Sequence, residues 1–373
     1  MFAEDGDRMA REPIGAERLL AEAARAAHGN RRRLASLVDL FLPDTMRLSD
    51  YQRVTVRRFI ARLVAAVEGD VRQRLVSEHA ARFAPELLAA LGSARVAIAM
   101  PVLERARALH DVELVSLLLA RVEEQRVADD LRRNAAANGE VSTLIEALLA
   151  DADPALSAAA MSLLIAESRR YYVFEDEILP RSDLPADLHY RLVWWVAAAL
   201  RDYMTRLHGA DPAHVDTALM DVASTILSSH DEGETLESAA MHLARLLGER
   251  GWLDDQVLRA ACVEGRLALL IAILASRAGL DFEAARDMIL PPHGDRLILL
   301  MKALDVERET AAAILLAMGP GDAGFSDAMN AYDTLAPAQA MEAIRPWQID
   351  CGYRNAIAAL ATRLAERGSG WVP

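Results

Sequence analysis

Lysine is almost absent from this chain. Lys302 is the single lysine among 41 basic residues, and arginine supplies the rest. A GC-rich genome produces that bias, so it carries no functional reading. Cysteine is scarce as well. Cys262 and Cys351 are far apart, which excludes a disulfide framework and a zinc-ligand spacing and suits a reducing compartment. Aromatic residues make up only 5% of the chain, while alanine and leucine dominate, a balance that favours helix over sheet. Long apolar runs are missing too. The longest, 192–200 (LVWWVAAAL) and 267–275 (LALLIAILA), fall well short of the roughly 20 residues a membrane span needs. The N-terminal MFAEDGDRMAREP is charged and lacks the apolar centre of a signal peptide, so the expected location is the cytoplasm with no membrane contact.

Catalytic signatures are equally lacking. There is no GxSxG elbow, no GxxxxGK[ST] loop, no GxGxxG after a strand and no HExxH. The nine histidines are scattered. Asp211 with His214, the adjacent His230 and Asp231, and His242 do not reproduce a known ligand set. His79 follows Glu78, and sequence neighbours on a helix do not face each other. The expectation is a protein without catalytic residues, cofactor or metal, and not an enzyme.

What is present is a folded chain, 53% hydrophobic and 26% charged. Its net charge of −14 is uneven. Residues 1–140 hold 22 basic and 21 acidic side chains, net +1, and residues 141–373 hold 19 and 34, net −15. An acidic body repels phosphate backbones, which disfavours nucleic acid as a partner. One exception stays open: Arg53, Arg57, Arg58 and Arg62 fall close to one helix face.

The punctuation of the chain predicts an all-α fold of about sixteen to eighteen helices. Gly29-Asn30, Pro43-Asp44, Asp211-Pro212, Gly251, Pro291-Pro292 and Gly319-Pro320-Gly321 read as breaks, and Asp254, Asp281 and Asp305 as helix caps. Helices are expected over 16–28, from Ser49-Asp50 to about Val67, at 266–279, and around 337–345 and 352–367. The 266–279 run is apolar on nearly every face and belongs at the centre of the C-terminal part. Residues 141–207 read as a helix, an Asp/Pro turn and a helix, and then the same again. A similar unit sits at 60–83, with a break expected at Glu68-Gly69 and Asp70 as cap, so that Leu63 aligns with Leu148 and Val71 with Leu156. A third copy, 87–109, places Val96 25 residues after Val71. Recurring units of this kind predict an α-solenoid closed by stacking. The Asp/Pro turns resemble those of HEAT-type repeats. The expected organisation is a helical extension at 1–45, a HEAT-like repeat region at 46–207, a C-terminal helical region at 208–335 and a helical tail at 336–373.

Residues 123–136, 149–168 and 179–204, with 70–80 and 100–118 before them and 265–290 after, resemble a bacterial family known as domain of unknown function 2336. The resemblance spans roughly 46–320, and the Arg181–Pro185 turn and the Trp194-Trp195 pair are its most specific points. It implies a helical, HEAT-like bacterial protein and transfers no catalytic residue.

Without a catalytic set, the expected function is a non-enzymatic scaffold or regulatory adaptor for an unidentified protein partner. The alternatives are a nucleic-acid-binding protein using the arginine-bearing helices, and a small-ligand protein or enzyme with a pocket between regions. Two candidate partner surfaces stand out. In the helix from about Pro185 to Leu207, the residues Leu192, Trp195, Val196, Leu200, Tyr203 and Leu207 span one arc of about 140°. That arc predicts Trp195 in the core and Trp194 outside it, beside Tyr190, Arg191, Ala198 and Arg201. The first reading of Trp194 is packing on a neighbouring helix, since a helix in a stacked array is often covered on two sides; otherwise it forms with Tyr190 an exposed spot of the Trp, Tyr and Arg types that anchor interfaces, suited also to burial against a second copy of the chain. The second candidate is Arg169, Arg170, Tyr171 and Tyr172, arginines beside aromatics that can grip a phosphate or stack on a base. The acidic Glu175-Asp176-Glu177 follows at once and favours a local ion-pair network instead.

Overall fold

The structure is a computed structural model, and it describes residues 15–27, 50–93, 97–139, 141–175, 183–290, 295–318, 322–350, 352–353, 356–357 and 360. Among these residues all regular structure is helical, with seventeen α-helices. In chain order they are α1 (Ala16–Ala27), α2 (Asp50–Glu78), α3 (Pro85–Gly92), α4 (Ala99–Ala106), α5 (Val112–Asn138) and α6 (Leu144–Leu149). Then follow α7 (Pro154–Glu175), α8 (Ala186–Asp202), α9 (Pro212–Ser228), α10 (Leu236–Glu249), α11 (Asp255–Val263) and α12 (Leu267–Ala278). The last five are α13 (Phe282–Ile289), α14 (Asp295–Ala303), α15 (Arg308–Met318), α16 (Asp322–Thr334) and α17 (Pro337–Ile344). The helix expected at 352–367 and the alignment through Val96 fall largely or wholly outside the described residues.

The helices gather into two compact units that interleave along the chain. A central unit holds α2–α4, the first half of α5 and α6–α10. A terminal unit holds α1, the second half of α5 and α11–α17. The linear division expected from the sequence separates segments that these units combine.

In the central unit, α2, α8 and α9 pack on one another around Phe59, Leu63, Val71, Leu192, Val196, Leu200 and Val222. The break expected at Glu68-Gly69 does not exist, because α2 runs through it without interruption. The reason lies in Glu68 and Arg72, one helical turn apart and both buried. Arg72 Nη1 donates to Glu68 Oε1 at 2.8 Å. Glu68 also accepts from the backbone N–H of Ile98 (3.0 Å) and of Ala99 (2.9 Å), which are the orphan donors at the start of α4. Arg72 donates to the carbonyls of Leu91 (2.7 Å), Ala90 (3.2 Å) and Ser93 at the end of α3. One ion pair therefore caps two helices with the charge each dipole favours, an anion at the N-terminus and a cation at the C-terminus. That works only if 68 and 72 share a continuous helix face. Asp70, expected as a cap, instead pairs with Arg74 at 2.9 Å. The 60–83 stretch is thus not a helix–turn–helix copy of 144–166, although Leu63, Leu148, Val71 and Leu156 are all buried.

Gly69 is exposed in mid-helix, and a Cβ there would meet nothing within 4 Å. Gly69→Ala is expected to stabilise the protein by about 0.5–1 kcal/mol, seen as a raised urea midpoint at unchanged slope. A lowered midpoint would mean that α2 is not continuous.

In the terminal unit, every residue of α12 from Leu267 to Ala275 is buried, so this helix sits at the unit's centre as its all-round apolar sequence predicts. Gly279, at φ 64°, ends it in the left-handed conformation that favours glycine. Gly265, also at positive φ, lets the α11–α12 turn lie against α5: a Cβ there would stand 2.3 Å from Arg132 Cγ and 3.2 Å from the Ala128 carbonyl. Asp281 caps α13 by accepting from the Ala284 N–H at 2.6 Å. Asp305 does not play the matching part for α15. It takes φ 51° and closes the previous helix, while the Val306 N–H donates back to the Met301 carbonyl at 3.1 Å. The one lysine, Lys302, rests its ammonium 4.5 Å above the Tyr332 ring, and the Tyr332 hydroxyl donates to the Val306 carbonyl. Burial, aided by Asp305 and Asp255, pushes that hydroxyl up to about 12. Helix α1 packs against α14, α16 and α17.

Candidate functional site

Helix α8 opens after Pro185, which holds an extended conformation, and carries both tryptophans. Leu188, His189, Leu192, Val193, Val196, Ala197 and Leu200 are its buried face. That face is rotated from the one the sequence suggested: Trp195 and Tyr203 are half-buried and Leu207 is 69% exposed. After this face, residues Tyr203–Leu207 widen into a π-helical turn, so the 3.6-residue spacing does not extend to Leu207. Trp194 is half-buried, like Trp195, and both pack against the core of the central unit.

Tyr190 and Trp194, one turn apart, meet edge to face with ring centroids 6.1 Å apart, and Tyr190 is 54% exposed. The indole Nε1 of Trp194 is buried without an acceptor. The two flanking arginines are held by acids. Arg191 donates to Asp111 at 2.6 Å and to Glu113, with Asp187 at 3.4 Å. Arg201 donates to Asp216 at 2.5 and 3.1 Å. The aromatic pair therefore sits between charge-neutralised clamps that fix the outer face of α8.

Arg169 and Arg170 separate sharply. Arg169 is partly exposed and pairs with Glu234 at 2.8 Å. Arg170 is only 4% exposed, which removes it from any partner surface. The side chains of Tyr171 and Tyr172 lie outside the described residues. An ion-pair network does form here, yet its described acids come from far along the chain. Arg170 donates to Asp183 at 2.5 Å and to Glu237 at 2.8 Å, with Glu124 at 3.6 Å. Arg121, 1% exposed, donates to the carboxylate and to the backbone carbonyl of Asp183, each at 2.8 Å, and lies 3.6 Å from Glu237. Four segments of the central unit (α5, α7, the residue before Leu184, and α10) are pinned at this point.

The electrostatics follow from that packing. Burial pushes the Asp183 carboxyl up, but Arg121 and Arg170 outweigh it and hold it below the usual carboxylate range. Glu237 is likewise opposed by burial and drawn down by Arg170 and Arg121 to about 2. Burial pulls the Arg170 guanidinium down, and Asp183, Glu237 and Glu124 more than reverse it. Beside the cluster, His230 Nε2 donates to the Leu184 carbonyl at 2.9 Å, and its ring stacks on His189 at 4.1 Å. Burial, with His230 next to it, pulls His189 down to about 4, although Asp70 works the other way.

Sequence reading missed this cluster because its members are separated by up to 116 residues, from Arg121 to Glu237. A signal existed: Arg121 interrupts the apolar run 114–120, and a charge in such a run needs a buried partner. Of the other singled-out residues, His214 Nδ1 lies 3.4 Å from Asp211, which caps α9, and His79 Nε2 lies 3.1 Å from Asp221. Among the described residues no three His, Cys, Asp or Glu side chains are gathered so as to hold a metal ion, and no helix is long and apolar enough to cross a membrane.

Fold and site together define a protein that is all-helical among the described residues, with a buried arginine–carboxylate cluster and a Tyr190–Trp194 pair of which Tyr190 is exposed. Residues 98–345 match a family described as uncharacterised proteins conserved in bacteria, domain of unknown function 2336, and the chain belongs to that family. The match begins after the 70–80 segment and runs past residue 320, so its bounds are shifted from those the sequence suggested. It contains the whole ion cluster and all of α8. No curated protein and no solved structure matches the chain.

Proposed function

We propose that this protein is a non-enzymatic interaction scaffold or regulatory adaptor whose helices stack in HEAT-like fashion, and that the outer face of α8 receives a protein partner of different sequence. The observation that carries this reading is the Tyr190–Trp194 pair, two interface-anchoring side chains in edge-to-face contact on a helix. Arg191 and Arg201, tied to Asp111 and Asp216, supply a polar rim around it. The rim is pre-organised, so docking costs little side-chain entropy there. The buried Arg121–Asp183–Arg170–Glu237 cluster supports the same reading by holding the segment ahead of α8.

The test is affinity capture from a bacterial lysate with the full chain, followed by titration of the captured protein. Tyr190→Glu and Trp194→Glu are each expected to weaken binding by roughly 30-fold or more, the scale of an interface hot spot of about 2 kcal/mol. A partner bound equally by wild type and both variants would place the interaction elsewhere and overturn this surface.

A further inference from the structure

We propose that the outward face of α7 is a self-association surface, on which a second copy of this chain lays its own α7 antiparallel about a two-fold axis between Met161 and Ser162.

The helix shows this first as an absence of charge. From Pro154 to Ala166 there is no charged residue, in a chain that is 26% charged with a net charge of −14. The next residue, Glu167, is turned inward at 6% exposure. The outward positions are Ala155, Ala158, Met161, Ser162, Ile165 and Ser168. Met161 is 48% and Ile165 45% exposed, one turn apart on the same face. The other side of α7 is occupied by α10 and α6.

Size and charge then select the occupant. Along this face small and large side chains alternate: Ala158, Met161, Ser162, Ile165. A two-fold axis between Met161 and Ser162 sets each Ile165 over the Ala158 of the other copy and each Met161 over the other copy's Ser162. Large thus meets small at the two central pairs, with the small Ser168 and Ala155 outside them, as interdigitated packing across an isologous interface requires. The Ser162 hydroxyl already donates to the Ala158 carbonyl at 2.9 Å, so burying it leaves no orphan donor. At the ends, Arg169 faces Pro154 of the second copy, beside Asp153. Both charged groups keep their present partners, Glu234 and Arg250, and each gains an opposite charge across the axis. Two copies, each of net charge −14, repel overall, and an uncharged face lets them meet without adding to that repulsion. The face is about 23 Å long at 1.5 Å per residue, the length of a single short helix. It falls below the roughly 800 Å² per partner of a standard interface, so the dimer is weak and reversible.

Sedimentation velocity on the full chain from low to high micromolar concentration should show a monomer–dimer equilibrium. Ile165→Arg should shift the midpoint at least tenfold to higher concentration, and Ala158→Leu, which fills the small site, should act the same way. Both positions are on the surface, so an unchanged helical circular dichroism signal separates lost association from lost fold. Geometry is tested separately in a Cys351→Ser background. Chains with Ala158→Cys mixed with chains carrying Ile165→Cys should form disulfide-linked mixed dimers faster than either chain does alone. A monomer at all concentrations, a dimer indifferent to Ile165→Arg and Ala158→Leu, or cross-linking without preference for the mixed pair would each overturn the proposal. Because Tyr190 and Trp194 lie on α8, their variants should leave the equilibrium unchanged.

Discussion

Arg170→Met should cost about 3–5 kcal/mol of folding free energy, whereas Arg169→Met, one residue away, should cost about 0–1 kcal/mol. The difference follows from where the charges lie. Arg169 meets Glu234 in contact with water, where screening leaves an ion pair little net worth. Arg170 is buried among Asp183, Glu237 and Glu124, and without it Asp183 and Glu237 share the single guanidinium of Arg121. Leaving a buried charge unpaired costs far more than the pair contributed. Against a total stability of about 5–15 kcal/mol, such a loss places the protein near its unfolding threshold. Arg170→Lys keeps the charge but not the planar fork that reaches Asp183 and Glu237 together, so it should fall between wild type and Arg170→Met. Urea denaturation followed by circular dichroism at pH 7 checks all three, and equal midpoints for Arg169→Met and Arg170→Met would refute the assignment.

The same cluster sets a pH dependence with a definite sign. Asp183 and Glu237 have folded-state values below their unfolded ones, Glu237 at about 2. Their stabilisation is fully present above the unfolded carboxylate range near pH 4 and is lost as pH falls below that range, for Glu237 through about 2. The gap between wild type and Arg170→Met should therefore narrow over that window. His189 acts at milder acidity. Its folded value of about 4 lies below the ordinary 6.5, so the unfolded chain takes up a proton first and stability falls as pH drops from about 6.5 to 4.

Glu68→Ala should be comparably damaging, at about 3–5 kcal/mol, and should show its effect at a distance along the chain. The carboxylate serves three groups: the Arg72 guanidinium and the N–H groups of Ile98 and Ala99. Removing it takes that carboxylate from the buried Arg72 guanidinium and uncaps α4. Hydrogen exchange should quicken over 99–106, thirty residues away, more than in the neighbouring turns of α2. Arg72→Ala should loosen the end of α3 instead, since the Leu91, Ala90 and Ser93 carbonyls lose their donor. The double variant should cost less than the two singles together by about 1–3 kcal/mol, because either single change already breaks the shared pair. Strict additivity would mean that the two caps act independently.

These two clusters mark the limit of what the sequence made legible. Apolar periodicity and Asp, Gly and Pro punctuation located most helices, including the fully apolar α12 and the caps at Asp211, Asp254 and Asp281. The failures came where a long-range contact overrode a local signal. Gly69 looks like a stop, yet the Glu68–Arg72 pair holds the helix through it. Asp305 looks like a cap, yet it closes the helix before it. The arc drawn through Trp195 and Leu207 assumed one helical repeat where the chain changes to another at Tyr203. The contact of Trp194 with Tyr190 needs only local spacing, because the two share one helix. Arg170 was misplaced because its charge partners Asp183, Glu237 and Glu124 are scattered along the chain.

The interleaved order of the two units has a consequence for how the chain is made. Helix α1 leaves the ribosome before every other described helix, but the helices it packs against, α14, α16 and α17, begin at Asp295. At about 5–20 residues per second, that wait is on the order of tens of seconds. Meanwhile the central unit is complete once Arg250 has emerged. Birth order therefore favours the central unit, and α1 must stay soluble as an isolated amphipathic segment until α14, α16 and α17 have emerged.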